Sequence, residues 1–102
     1  MRIQRLDIQQ ISSQLNSLDL WHIDEMSAAI SKEYVLRDFK QAFSFMTEIA
    51  KLAEENNHHP EWRNVYKQVA ITWTTHDVGG LSLQDFNMAR RCDEIYEKMM
   101  NS

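Results

Sequence analysis

Residues 69–85 read VAITWTTHDVGGLSLQD and contain the signals of a strand, a turn and a helix start. Apolar residues from Val69 to Trp73 alternate with small or polar ones, which is the pattern of a strand buried on one face. The pair Gly79-Gly80 predicts a turn. Ser82, followed three residues later by Asp85, forms a variant capping box and predicts a last helix that runs to about Met100.

A long helix is predicted upstream of this strand. It begins at Asp38, and Asn56-Asn57 is a plausible end. Its apolar residues recur at spacings of three and four, which is the pattern of an amphipathic helix. The predicted apolar face consists of Phe39, Ala42, Phe43, Met46, Ile49, Ala50 and Ala53.

The remaining segments complete an alternating order of helices and strands. Ile8, Ile11, Leu15 and Leu18 predict a first helix. Short alternating runs over residues 20–36 predict two strands joined by a turn near Ser27, and another short strand is expected over residues 64–66. The predicted fold class is α+β, in the order α-β-β-α-β-β-α. It is a two-layer domain with a four-stranded antiparallel sheet and three helices packed on one face.

The composition is that of an ordinary globular protein, and residues 1–102 are expected to form a single domain. A formal net charge of -4 argues against nucleic acid as a direct ligand, since phosphate binding needs a basic face. The single cysteine, Cys92, fits a reducing compartment. No apolar run of signal-peptide or membrane-spanning length is found, so a cytoplasmic location is expected.

Apolar residues cover about half the circumference of the predicted last helix, which is more than one sheet requires. The excess predicts self-association, and the alternative is a few exposed methionines. The residues concerned are Phe86, Met88, Ala89, Cys92, Ile95, Tyr96, Met99 and Met100.

Three of the four histidines, the single proline and both glycines lie between positions 58 and 80. Imidazoles titrate near neutral pH, so His58, His59 and His76 converging on one pocket would suit proton transfer. Alternation along the strand would place His76 on the side of small residues that could form the pocket floor. Two alternatives stay open, namely surface or hydrogen-bonded structural histidines and a zinc site, although the helical H-x-x-x-H pair is absent.

Asp85 has two interpretations at this stage. As the fourth residue of the capping box it would stabilise the start of the last helix. Its angular position, however, directs the side chain into the apolar arc of that helix, where a buried carboxylate needs a hydrogen-bond or charge partner. His76, nine residues earlier across the turn, is the candidate partner.

The other polar and aromatic residues of interest favour structural interpretations. Glu54 is expected to be a solvated helix residue, and Trp62 and Tyr66 are expected in the core rather than in a stacking platform. Trp73 is predicted to be a core residue, His22 structural, and Cys92 an inert core thiol. Phosphate-binding glycine loops and a G-x-S-x-G nucleophile motif are absent from the sequence.

At these positions the sequence resembles a known family. Glu54, His58-His59-Pro60, Tyr66, His76 and Asp85 have the spacing of the signature of pterin-4a-carbinolamine dehydratases, also known as dimerisation cofactors of a homeodomain transcription factor. The resemblance is specific over residues 36–85 and looser to residue 95. Residues 1–35 are only generically similar, and Leu20-Trp21 stands where many members have Gly-Trp.

The resemblance implies an α-β-β-α-β-β-α subunit, usually assembled as a tetramer. It implies a cytosolic hydro-lyase that dehydrates 4a-hydroxytetrahydropterin to quinonoid dihydropterin, and so recycles the cofactor of aromatic amino acid hydroxylases. No metal or organic cofactor is required in the family. An interaction module, acting as a transcriptional or assembly factor, is the alternative.

The resemblance also implies roles for individual residues. His58 and His76 would perform acid–base catalysis, His59 would assist or hold the pterin, and Asp85 would orient His76. The implied catalytic set is therefore His58, His59, His76 and Asp85. The implied substrate-binding set is His58, His59, Pro60, Trp62, Thr74, Thr75, His76 and Asp77.

Overall fold

A computed structural model describes residues 3–102 and shows the predicted order of elements. The helices are α1 (Ile8–Leu15), α2 (Phe39–Asn56) and α3 (Leu83–Met100). The strands are β1 (His22–Ile23), β2 (Ile30–Val35), β3 (Glu61–Val65) and β4 (Gln68–Trp73). A single 3-10 turn over His76–Val78 joins β4 to α3. The sheet is antiparallel throughout, in the order β1-β2-β4-β3, so the predicted α+β fold is confirmed.

The core lies between one face of the sheet and the helices. The apolar residues that alternate along β4, Val69, Ile71 and Trp73, are all fully buried. They pack with Tyr34 of β2 and with the buried faces of α2 and α3. The predicted alternation of β4 is therefore confirmed, and so is the core position of Trp73.

Local signals determine the helix ends as predicted. The Asp38 carboxylate accepts the Gln41 N–H at 2.8 Å, and Asn57 ends α2 in the left-handed conformation with φ 48°. The Ser82 N–H donates to Asp85 Oδ2 at 3.0 Å at the start of α3. These contacts satisfy backbone groups that have no partner inside their helices.

The buried face of α2 is rotated relative to the prediction. Ala42, Ile49 and Ala53 are buried as predicted, and Phe45 and Leu52 are buried with them. Phe39 and Phe43, however, are 49% and 58% exposed, and Ala50 is also exposed. Apolar residues extend the stripe on both sides, and periodicity alone does not say which side meets the sheet. The predicted core positions of Trp62 and Tyr66 are also wrong. Trp62 lies on the edge strand β3 and Tyr66 in the turn that follows it, and both rings are exposed.

The apolar half of α3 is covered within the subunit. Phe86, Met88, Ala89 and Cys92 are buried, and the four remaining apolar residues of this half pack against the core. Much of the surface on which self-association was predicted is therefore covered within the subunit, because α2 packs against α3 in addition to the sheet. Among residues 3–102, no helix combines the length and the apolar character needed to cross a membrane.

Candidate active site

A cleft of about 350 Å³ opens where α2 ends, beside the end of β4. Six of the predicted site residues line it, namely His58, His59, Thr74, Thr75, His76 and Asp77. Ile3, Asn56, Asn57 and Gln84 complete the lining and had not been predicted. Gln84 lies one position before Asp85 in the capping box, which is the one local signal that could have indicated it. Of the small residues Ala70, Thr72 and Thr74 on the predicted floor side of β4, Thr74 lines the cleft and the other two do not.

Asp85 is paired with His58, not with His76. The His58 Nε2 and Asp85 Oδ1 atoms are 2.6 Å apart, and the Asp85 side chain is fully buried. The expected His76 partner is instead carried outward by the 3-10 turn that follows β4, and its side chain is 82% exposed. The predicted Asp85–His76 pair is therefore wrong, because the chain leaves the sheet before position 76.

Three donors surround the Asp85 carboxylate. Oδ1 faces His58, while Oδ2 accepts the Thr75 hydroxyl at 2.7 Å and the Ser82 N–H at 3.0 Å. The Thr75 and Ser82 hydroxyls also bond each other at 2.7 Å. Because Thr75 uses its proton on Asp85, Ser82 donates to Thr75. Thr75 is thus buried and directed toward Asp85, so its hydroxyl supports the site from behind.

This arrangement assigns the tautomer of His58. A carboxylate whose two oxygens both accept hydrogen bonds requires a proton on the facing His58 nitrogen, Nε2. Nδ1 is then the nitrogen left to exchange a proton with a ligand in the cleft. A buried carboxylate that holds an imidazole in this way is well suited to acid–base chemistry.

His59 and His76 are exposed and each lies beside a carboxylate. His59 Nε2 is 2.5 Å from Glu54 Oε2, and His76 Nε2 is 3.6 Å from Glu61 Oε2. Glu54 is exposed as expected, with His59 as its partner. Glu61 had not been predicted, and its place next to Pro60 is no local signal for contact with His76.

Of the remaining predicted site residues, Thr74 lines the cleft, whereas Pro60 and Trp62 do not. The Thr74 hydroxyl donates to the Ala28 carbonyl at 2.6 Å, which ties the end of β4 to the β1–β2 turn. The substrate-binding roles of Pro60 and Trp62 stay predictions. Within residues 3–102, no three His, Cys, Asp or Glu side chains are arranged to hold a metal ion.

Comparison with known proteins connects this geometry to a family. A family model described as Pterin 4 alpha carbinolamine dehydratase matches residues 4–95. The chain belongs to this family. A provisionally named pterin-4-alpha-carbinolamine dehydratase of Sinorhizobium fredii is 46% identical over 94 residues, covering 92% of this chain and 90% of that protein. The Drosophila melanogaster pterin-4-alpha-carbinolamine dehydratase is 61% identical over 69 residues, covering 68% of this chain and 36% of that protein.

Solved structures agree with the family assignment. A transcriptional coactivator/pterin dehydratase from Brucella melitensis superimposes with a TM-score of 0.87 at 37% identity, covering 90% of this chain and 98% of that one. A pterin dehydratase-like RuBisCO assembly factor of the alpha-carboxysome gives a TM-score of 0.65 at 22% identity, covering 74% and 88% of the two chains. At that identity the second likeness shows a shared fold alone.

Proposed function

We propose that this family member is a dehydratase that converts 4a-hydroxytetrahydropterin to quinonoid dihydropterin and water. The observation that carries the proposal is the buried Asp85 carboxylate bonded to His58 at the cleft. Dehydration needs a proton for the departing 4a-hydroxyl and removal of a proton from the adjacent ring nitrogen. Both transfers are within the chemistry of imidazoles and require no nucleophile.

We assign His58 the acid step and His76 the base step. His58 Nδ1 gives its proton to the 4a-hydroxyl while the C4a–O bond breaks and water leaves. His76 takes the proton from the ring nitrogen, whose electron pair forms the new C=N bond. The two histidines then exchange protons with solvent and return to their starting states. His59, held by Glu54 at the cleft rim, is proposed to orient the pterin.

The proposed function is tested with freshly generated 4a-hydroxytetrahydropterin. His58→Ala and His76→Ala should each lower turnover by about 10²- to 10⁴-fold, because each removes a positioned acid or base. His22→Ala is the matched control, since His22 is an exposed residue of β1 and does not line the cleft. Wild-type turnover in both site variants would refute the assigned roles, and absence of catalysis in the wild type between about pH 6 and 9 would refute the activity.

The pathway position is part of the same proposal. Aromatic amino acid hydroxylases leave a pterin carbinolamine of the required kind, and the quinonoid product is then reduced for reuse. A cytoplasmic location is proposed with it, supported by the free thiol of buried Cys92.

We also propose that the subunit self-associates. The support lies on α2, where the exposed rings of Phe39 and Phe43 form an apolar pair with centroids 6.0 Å apart. Light scattering at micromolar concentration should report an oligomer. Phe43→Glu should dissociate it, while Lys40→Glu on the same helix should not. A strict wild-type monomer would contradict the proposal.

A further inference from the structure

We propose that Trp73 is a positioning residue, which fixes the plane of the His58 ring and stabilises its protonated form. The inference rests on the proposed function, in which His58 delivers a proton. The two rings are stacked, with centroids 5.5 Å apart and an interplanar angle of 14°. Trp73 is fully buried, so it contacts His58 from below and has no surface for a ligand in the cleft.

Trp73 and Asp85 hold His58 in two different directions. Asp85 bonds one edge of the ring at 2.6 Å, and Trp73 covers one face. The His58 side chain is left only 11% exposed, and it lines the cleft with that remaining surface. Rotation of the ring would break the bond to Asp85 and the stack together. His58 is therefore held in the single orientation that directs Nδ1 away from Asp85.

The stack also favours one charge state of His58. The face of an indole carries partial negative charge and attracts a cation placed over it, most strongly where water is excluded. The negative charge of the Asp85 carboxylate likewise favours the protonated form of His58. The titratable groups around His58 are Asp85 from α3, Glu54 at the end of α2, its neighbour His59, and His76 and Asp77 from the 3-10 turn. Trp73 differs from all of these groups in that it stabilises the imidazolium without a charge or a titratable proton of its own.

Core packing alone does not account for an indole at position 73. Its Nε1–H is buried and has no hydrogen-bond partner among residues 3–102, which costs stability. The Cys92 thiol lies beside the indole, whose N–H lowers the thiol pKa against the larger effect of burial, but a thiol is a weak acceptor and the contact falls short of hydrogen-bond geometry. Phenylalanine would fill an apolar site without an unpaired donor. The indole face over His58, which attracts a cation more strongly than a phenyl face, gives the physical reason for tryptophan.

The kinetic test compares Trp73→Met, which removes the aromatic face, with Trp73→Phe, which keeps one. Trp73→Met should lower kcat about tenfold and leave KM within about twofold. The limb of the pH–rate profile that reports protonated His58 should move down by roughly half a unit to one unit. Trp73→Phe keeps a smaller and less attractive face, so its kcat and pH profile should lie between those of the wild type and Trp73→Met. Trp21→Phe is the matched control, because Trp21 is a buried indole bonded to Asp93 and not to the site. Wild-type kcat and pH profile in folded Trp73→Met would overturn the proposal.

A second measurement is independent of turnover and needs only folded wild type and His58→Gln. A protonated imidazole in contact with an indole quenches its emission, so tryptophan fluorescence should differ between acidic and alkaline solution when His58 is present. The change should be lost in His58→Gln and in Trp73→Phe. If it persists in both, the coupling of the two rings is refuted. If it is present but the wild type turns over no pterin, the proposed function fails and the stack stands.

Discussion

The Asp85 carboxylate serves a helix and a histidine at the same time. Its Oδ2 accepts the Ser82 N–H and so caps α3, while Oδ1 bonds His58. The two functions are compatible because a carboxylate has two oxygens with separate lone pairs. The N-terminal cap of α3 and the orientation of the His58 ring consequently depend on one hydrogen-bond network around Asp85, to which Thr75 also belongs.

Removing the Thr75 hydroxyl should therefore weaken both stability and turnover. Thr75→Val keeps the shape but takes one of two donors from Asp85 Oδ2 and the partner from the Ser82 hydroxyl. We expect a loss of about 1–3 kcal/mol in the free energy of unfolding and roughly tenfold in kcat. Thr75→Ser keeps the hydroxyl and is the control. Equal stability and kcat in the two variants would contradict the role of this hydroxyl.

Among the elements, the β3–β4 hairpin contains a strained residue. Two residues, Tyr66 and Lys67, connect the strands, and Tyr66 has a φ of 53°. A bulky side chain in the left-handed region is unfavourable, and this ring is 63% exposed, so little packing compensates for it. The Asn64 amide supports the turn by donating to the Tyr66 and Gln68 carbonyls at 3.0 and 2.9 Å.

Tyr66→Asn should stabilise the protein, because asparagine tolerates positive φ. We expect a gain of about 1 kcal/mol, which in a domain of this size raises Tm by roughly 4–8 °C. Scanning calorimetry or thermal circular dichroism would measure the shift. Lys67→Asn changes the neighbouring turn residue, whose φ is not positive, and should give no such gain. A lower Tm for Tyr66→Asn would show that the exposed ring stabilises the fold.

At the scale of the whole molecule, a second polar network joins the sheet to α3. Asp93 accepts hydrogen bonds from Tyr34 at 2.5 Å, Lys32 at 2.8 Å and Trp21 at 3.2 Å. Burial, with the bond to Asp93, raises the pKa of Tyr34 far above its usual range. Burial likewise raises the pKa of the Cys92 thiol to about 12. Cys92 is therefore an inert core thiol, as predicted from the sequence.

These raised pKa values predict loss of stability in alkali. The folded protein keeps both protons, whereas the unfolded chain releases them above about pH 9 for cysteine and about pH 10 for tyrosine. Below about pH 8 these two groups add no pH dependence to the free energy of unfolding. Above about pH 9 it should fall, with a limiting slope of about 1.4 kcal/mol per pH unit for each group. Urea unfolding at several pH values would measure it.

Tyr34→Phe and Cys92→Ala separate this effect from general charge repulsion. Each substitution removes one titrating group, so the alkaline slope should become shallower even where the stability at neutral pH is lower. An unchanged slope in both variants, or a wild-type profile that stays flat between about pH 9 and 11, would contradict the assignment.

The local features of this protein follow from its amino-acid sequence alone. The ends of α2 and α3, the alternation of β4 and the turn before α3 depend on contacts between residues a few positions apart, and such contacts can be inferred from neighbouring residue types. The histidine segment identified the cleft for the same reason. Features that depend on contacts between distant parts of the chain can be read only from the tertiary structure. Packing turned α2 so that Phe45 and Leu52 meet the core in place of Phe39 and Phe43, and it placed His58, rather than His76, against an Asp85 that lies 27 residues away. It also put Trp73 beneath His58, because the direction in which a strand ends and the helices packed over it are set by the whole core.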